Sequence, residues 1–213
     1  MIITLASYKG GVGKTTSAIH LAAFLNTQAP TALFDGDIIR AASKWSKRGP
    51  GKGLPFDVHP IGQIGKKIRD YTHAVIDTEA NPSDDDFKEM AEGCDLLIIP
   101  AEPETTATDG LRYTLEALIK GNKQDGFCVL LTRVLPPPRD IEAVKLRAEL
   151  EANAFPVFRS QIPFLGAFHK ASAEGVLVSY VKHDKNASRA WASYEAVGKE
   201  IVKSQTRKEA GHG

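Results

Sequence analysis

Short, unbroken runs of Val, Ile and Leu recur along the chain, each followed by a longer amphipathic stretch. This alternation restricts the fold more than any other feature. Ile2–Ser7, Thr31–Asp35, His73–Asp77, Asp95–Pro100 and Phe127–Thr132 lack the polar alternation of a half-exposed strand. Each therefore reads as a strand covered on both faces, as in a parallel sheet. Val157–Ile162 and Phe56–His59 are shorter candidates of the same kind. Helical periodicity fills the intervals at Thr15–Thr27, Ile64–Tyr71, Asp84–Glu92, Thr106–Lys120, Arg139–Ala152, Gly166–Glu174 and Ala187–Gln205. Repeated strand–helix units with right-handed crossovers predict an α/β fold, a single doubly wound, mostly parallel sheet flanked by helices. The chain of 213 residues suits one domain. It is expected over residues 1–206, with a polar, disordered tail at 207–213. Lys44–Leu54, rich in Gly, Pro, Lys and Arg, reads as an exposed loop, and Pro136–Pro138 as a rigid break.

The first strand runs straight into Lys9-Gly10-Gly11-Val12-Gly13-Lys14-Thr15-Thr16, which opens the first long helix. Glycines let successive backbone N–H groups turn inward on a phosphate chain, and the helix N-terminus adds its positive end. Lys14 can reach the outer phosphates and the Thr15 hydroxyl can take one Mg²⁺ position. Strand before and helix after make this an ATP and magnesium site. Carboxylates follow at two more strand ends, where ligands of open α/β sheets collect. They are Asp35-Gly36-Asp37 and Asp77, the latter continuing as Thr78-Glu79-Ala80-Asn81-Pro82.

With its second lysine at Lys9, the loop resembles the deviant Walker A box of the ParA/MinD family of ATPases, and the resemblance extends to about Gln205. It implies that Lys9 reaches across a homodimer to the partner's ATP, beside Lys14 in its own cradle. It implies that Asp37 orients the attacking water, that Asp35 supports the magnesium shell, and that Asp77 is the Walker B aspartate. Gly10, Gly11, Val12, Gly13, Lys14, Thr15 and Thr16 would bind the phosphates. Thr132, Arg133, Ile162 and Pro163 would surround the adenine, and Pro100–Pro103 would lie near the dimer face. The chain departs from the family at Ile38-Ile39, where many relatives have Pro-Gln. It departs again after Asp77, where many have Thr-Pro-Pro, and Glu79 is an additional acid there.

The family divides by the surface on which it works. Beyond Ala196, Val197, Ile201 and Val202 the C-terminus holds Lys203, Gln205, Arg207, Lys208 and Glu209, with no bulky apolar residue to enter a bilayer. The two cysteines, Cys94 and Cys128, have no metal-ligand spacing, which removes the iron–sulfur carriers. ParA-type members bind DNA without sequence preference, and Lys182, Lys185, Arg189, Lys199, Lys203 and Arg207 are the candidates here. The net charge of +1 gives no global pull toward nucleic acid, so such binding needs a local patch. The N-terminal run reads as a strand rather than a signal peptide, and no helix-turn-helix extension precedes it. The resemblance therefore implies a cytoplasmic, compact partition-type switch, nucleoid-associated when ATP is bound. It would segregate a plasmid or position another cargo such as a protein microcompartment, with a ParB-like or other small adaptor. Two alternatives stay open: a small-molecule ligase of the dethiobiotin synthetase type, and an ATP-binding regulatory module that does not hydrolyse.

Overall fold

The computed structural model describes residues 1–49, 53–80, 82–103 and 126–211, together with Leu111, Leu115 and Leu118, with side chains to residue 206 except that of Asp84. The strands are β1 (Ile2–Ser7), β2 (Thr31–Gly36), β3 (Asp57–Pro60), β4 (His73–Ala80), β5 (Leu96–Ala101) and β6 (Phe127–Leu131). They form one sheet of six strands in the order β3-β2-β4-β1-β5-β6, every pairing parallel. The helices are α1 (Lys14–Asn26), α2 (Ala41–Arg48), α3 (Ile64–Lys67), α4 (Asp84–Glu92), α5 (Ile141–Ala152), α6 (Gly166–Glu174) and α7 (Ala187–Gly211).

Both sheet faces are covered, which is why the strand sequences are unbroken apolar runs. One core joins Leu5, Ile98 and Val75 to α1, to Trp45 of α2, and to Tyr194 and Val197 of α7. The other joins Ala6, Leu97 and Val129 to Phe87 and Ala91 of α4 and to Leu146 of α5. Helices α1 and α7 approach so closely that a Cβ on Gly198 would collide with the Phe24 ring, so glycine is required there.

Three expectations are corrected. The first five residues of the expected loop Lys44–Leu54 belong to helix α2, because Ala42 and Trp45 are buried at i, i+3 spacing and the Trp45 indole donates to the Val176 carbonyl at 3.1 Å. Val157–Ile162 forms no named strand, only isolated bridges from Val129 to Val157 and from Val134 to Pro163. Pro156 and Pro163 at its ends have no N–H to extend a ladder. The expected helix Ile64–Tyr71 is only the four residues of α3 followed by a 3₁₀ turn at Ile68–Asp70, with another 3₁₀ turn at Ile61–Gln63 before it. Helix α7 continues past residue 206 to Gly211. The expected helix Thr106–Lys120 lies outside the described residues, apart from its three leucines, which are buried against the second core.

Register gathers the expected acids. Leu5 of β1 and Asp35 of β2 both lie level with Asp77 of β4, so the loop after β1 and the two carboxylates share one sheet end. The chain leaves β1 for α1 on one side of the sheet, and β1 itself lies between β4 and β5, which is where an open α/β sheet leaves a crevice.

Candidate nucleotide site

The loop turns into α1 at Gly13, whose φ of 90° puts it in the left-handed region that glycine enters without steric cost. Gly13 lies against the Thr132 side chain, with its Cβ direction about 3.9 Å from that residue's Cβ. Thr132, at the end of β6, donates to the Val12 carbonyl at 2.8 Å and so clamps the loop from outside. Arg133 donates to the Gly11 carbonyl at 3.2 Å, pairs with Glu102 at 3.0 Å and lies over the Phe164 ring at 5.2 Å. The loop shape is thus held by protein groups.

Inside the curl, the Lys14 ammonium donates to Ser7 Oγ at 3.3 Å and to the Lys9 carbonyl at 3.4 Å. Burial lowers its pKa, against the opposing pull of Asp77 and Asp37. Asp77 is 0% exposed, and neither of its carboxylate oxygens has a hydrogen-bond partner. Burial pushes its pKa up to about 7. The nearby Thr15 hydroxyl and Lys14 work against that rise, and Asp35 and Asp37 add to it. A buried, unpartnered carboxylate beside a hydroxyl and an ammonium is an environment that a cation satisfies.

Asp35 is placed differently. Its Oδ2 accepts from Ser43 N at 2.8 Å and from Ser43 Oγ at 2.5 Å, and its Oδ1 accepts from Asp37 N at 3.2 Å. Expected in the magnesium shell, it ties the acid loop to the first turn of α2. Asp37 accepts from Ile39 N at 3.0 Å in a tight turn, with Ile38 and Ile39 exposed beside it. Thr78 donates to the Leu5 carbonyl at 2.8 Å, locking β4 to β1 just past Asp77.

Thr132, Arg133, Ile162 and Pro163 come together, lining a cavity of about 190 Å³ with Gly11, Gly13 and Thr16. That is below the ~300–1,000 Å³ of a whole small-molecule site, so it suits one part of a nucleotide. Phe168, His169 and Ser172 of α6 and Tyr194 of α7 also line it. Sequence reasoning missed these four, since nothing local marks which helical residues face a loop far away in sequence. A larger cavity, about 410 Å³, lies beyond Arg133 and Phe164 and is lined by Glu102, Pro103 and Arg139 among others. None of the loop glycines lines it, whereas Gly11 and Gly13 line the smaller one.

The model of the CobQ/CobB/MinD/ParA nucleotide binding domain matches residues 3–178, which include the glycine loop and both acid positions. The chain belongs to this family. It is 30% identical over 207 residues to maintenance of carboxysome distribution protein A of Gloeobacter kilaueensis, covering 94% of this chain and 93% of that protein. Among solved structures, a putative plasmid partition protein of Borrelia burgdorferi bound to AMPPNP superposes with a TM-score of 0.70 at 19% identity, covering 95% of this chain and 98% of that one. MinD in the MinC:MinD complex of Aquifex aeolicus gives 0.71 at 17% identity, covering 95% and 96%. These structural likenesses establish the ParA/MinD fold for the whole described chain. Of the residues expected to bind DNA, Lys182, Lys185, Arg189, Lys199 and Lys203 are exposed, and the Arg207 side chain lies outside the described set. Among the described residues no helix is long and apolar enough to cross a membrane.

Proposed function

We propose that the protein is an ATP hydrolase that works as a dimerisation switch, holding non-specific DNA when ATP-bound and positioning a cargo on it. The observation that carries the reading is the buried, unpartnered Asp77 carboxylate facing Thr15 and Lys14 inside a glycine loop. Thr15 and Asp77 would hold Mg²⁺, which bridges nucleotide phosphates and neutralises charge on them. Asp35 supports the acid loop through the Asp37 backbone, and Asp37 orients water toward the outer phosphate. Lys9 serves the partner's nucleotide, so two subunits close over two ATP molecules. The carboxysome-distribution and plasmid-partition names of similar proteins support a cargo-positioning role with a small adaptor.

The reading is tested on two variants by light scattering, phosphate release and DNA retention with ATP or ADP. Asp37→Ala is expected to keep nucleotide and dimer while phosphate release drops by about 100-fold, the scale of a lost general base. Lys9→Ala should bind nucleotide nearly as well as wild type but stay monomeric. A Lys9→Ala protein that dimerises with ATP like the wild type removes the switch. A wild type that ignores DNA with both nucleotides removes the positioning role.

A further inference from the structure

The net charge of +1 conceals a segregation of charge. Residues 38–56 contain Arg40, Lys44, Lys47, Arg48 and Lys52 and no acid. Residues 83–95 contain Asp84, Asp85, Asp86, Glu89, Glu92 and Asp95 against the single base Lys88. Helix α2 packs Ala42 and Trp45 into one core and α4 packs Phe87 and Ala91 into the other, so the two blocks lie on opposite faces of the sheet. The molecule is therefore basic on the α2 side and acidic on the α4 side.

Helix α2 is firmly oriented. The Trp45 indole holds Val176, and Arg48 donates from Nε to the Ser172 carbonyl at 2.9 Å. Lys44 and Lys47 are left exposed, and among the described residues neither forms an ion pair. Within α2, Lys44 lies three residues before Lys47 and four before Arg48, so like charges are neighbours on successive turns, an arrangement that an intervening anion relieves. The residues expected from sequence are more compromised: Asp184 lies between Lys182 and Lys185 and pairs with Lys170 at 2.8 Å.

We propose that the outer face of α2 contacts the phosphate backbone of duplex nucleic acid. The inference rests on the DNA-binding reading above and places a contact on an element to which that reading gives no part. A polyanion with a charge every ~1.7 Å along its axis answers a row of unpaired lysines. A bilayer does not, because the apolar residues of α2 are already buried and nothing on this helix remains to insert. The face is also wired to the nucleotide site. Ser43 in its first turn binds Asp35, Arg40 donates to the Asp35 carbonyl at 3.1 Å, and Asp35 holds the Asp37 backbone. These bonds join the acid loop to the first turn of α2.

The test measures retention of a random-sequence duplex against salt, with ATP and Mg²⁺. It compares wild type, Lys44→Ala/Lys47→Ala, Lys182→Ala/Lys185→Ala and the charge-keeping Lys44→Arg/Lys47→Arg, with anionic phosphatidylserine vesicles as a parallel arm. The alanine pair on α2 is expected to flatten the slope of log affinity against log salt by about 2 per chain and weaken binding about ten-fold near ~0.1 M salt. The arginine pair should keep the wild-type slope, which shows that charge rather than folding is read. An unchanged slope in the α2 alanine pair, with flattening in the 182/185 pair, overturns this inference and leaves the DNA reading standing. A wild type that binds no duplex in any nucleotide state overturns both, and vesicle binding in place of duplex binding replaces nucleic acid by a membrane surface.

Discussion

Replacing Asp77 by asparagine is expected to stabilise the nucleotide-free protein while abolishing its turnover. The carboxylate is fully buried with both oxygens unpartnered, and burial raises its pKa to about 7. The unfolded chain holds that group near its ordinary 3.8. The fold thus prefers the protonated acid. Stability linked to Asp77 is complete below pH 4 and is lost as pH rises through 7, by on the order of 4 kcal/mol for a gap of this size. Asparagine keeps the shape and stays neutral. The variant should therefore melt higher than wild type at pH 8, by ~10 °C if the whole term is recovered, and the gap should narrow toward pH 5. The same change removes the charge that a magnesium ion needs, so the melting shift given by Mg²⁺ and ATP should shrink and phosphate release should fall at least ~100-fold. An Asp77→Asn protein that melts below wild type at pH 8 would show that the carboxylate is already satisfied, and would take the proposed cation position with it.

The parts of this site that were legible in the sequence are those fixed by short-range chemistry. A glycine loop between an apolar run and an amphipathic one can hardly be anything but a strand–turn–helix phosphate cradle. Acids that end apolar runs must then lie at the same sheet end, as the register of Leu5, Asp35 and Asp77 shows. Thr132 and Ile162 enter by resemblance, and they line one cavity together with Gly11 and Gly13. What stayed hidden depends on distant partners. Helix α2 offers only Ala41, Ala42 and Trp45 as apolar signals amid Lys, Arg and Ser, and it is held by bonds from Trp45 to Val176 and from Ser43 to Asp35. Ser17 and Tyr194 share a hydrogen bond at 3.0 Å across 177 residues, which no local pattern announces. The segregation of basic α2 from acidic α4 was invisible for a related reason: it emerges only once each helix is assigned to a face.

Protonation of His20 is expected to destabilise the fold in mild acid, with the opposite sign from Asp77. His20 is entirely enclosed, with Nδ1 2.7 Å from the Thr16 carbonyl and Nε2 accepting the Val178 N–H at 3.0 Å. The ring stacks on Tyr194 at 4.9 Å and meets Trp45 and Phe168 edge-on. Nε2 can accept only while the ring is neutral, and burial lowers the pKa to about 4. The unfolded chain takes the proton at 6.5, so the stability that neutral His20 contributes is complete above pH 6.5. It is lost as pH falls toward 4, by about 3 kcal/mol. Thermal melts in the Asp77→Asn background isolate this term, because the opposing acid is gone. His20→Phe should flatten the dependence between pH 6.5 and 4 while lowering the plateau by ~1–3 kcal/mol, since Val178 N–H loses its acceptor. His20→Ala adds a hole among Trp45, Phe168 and Tyr194 and should cost about 3–5 kcal/mol. Phe168 and Tyr194 also wall the cavity beside Gly11 and Gly13, so ATP affinity should weaken with the alanine change more than with phenylalanine. Equal acid sensitivity in His20→Phe and its parent would assign the titration to another group and leave His20 a purely packing residue.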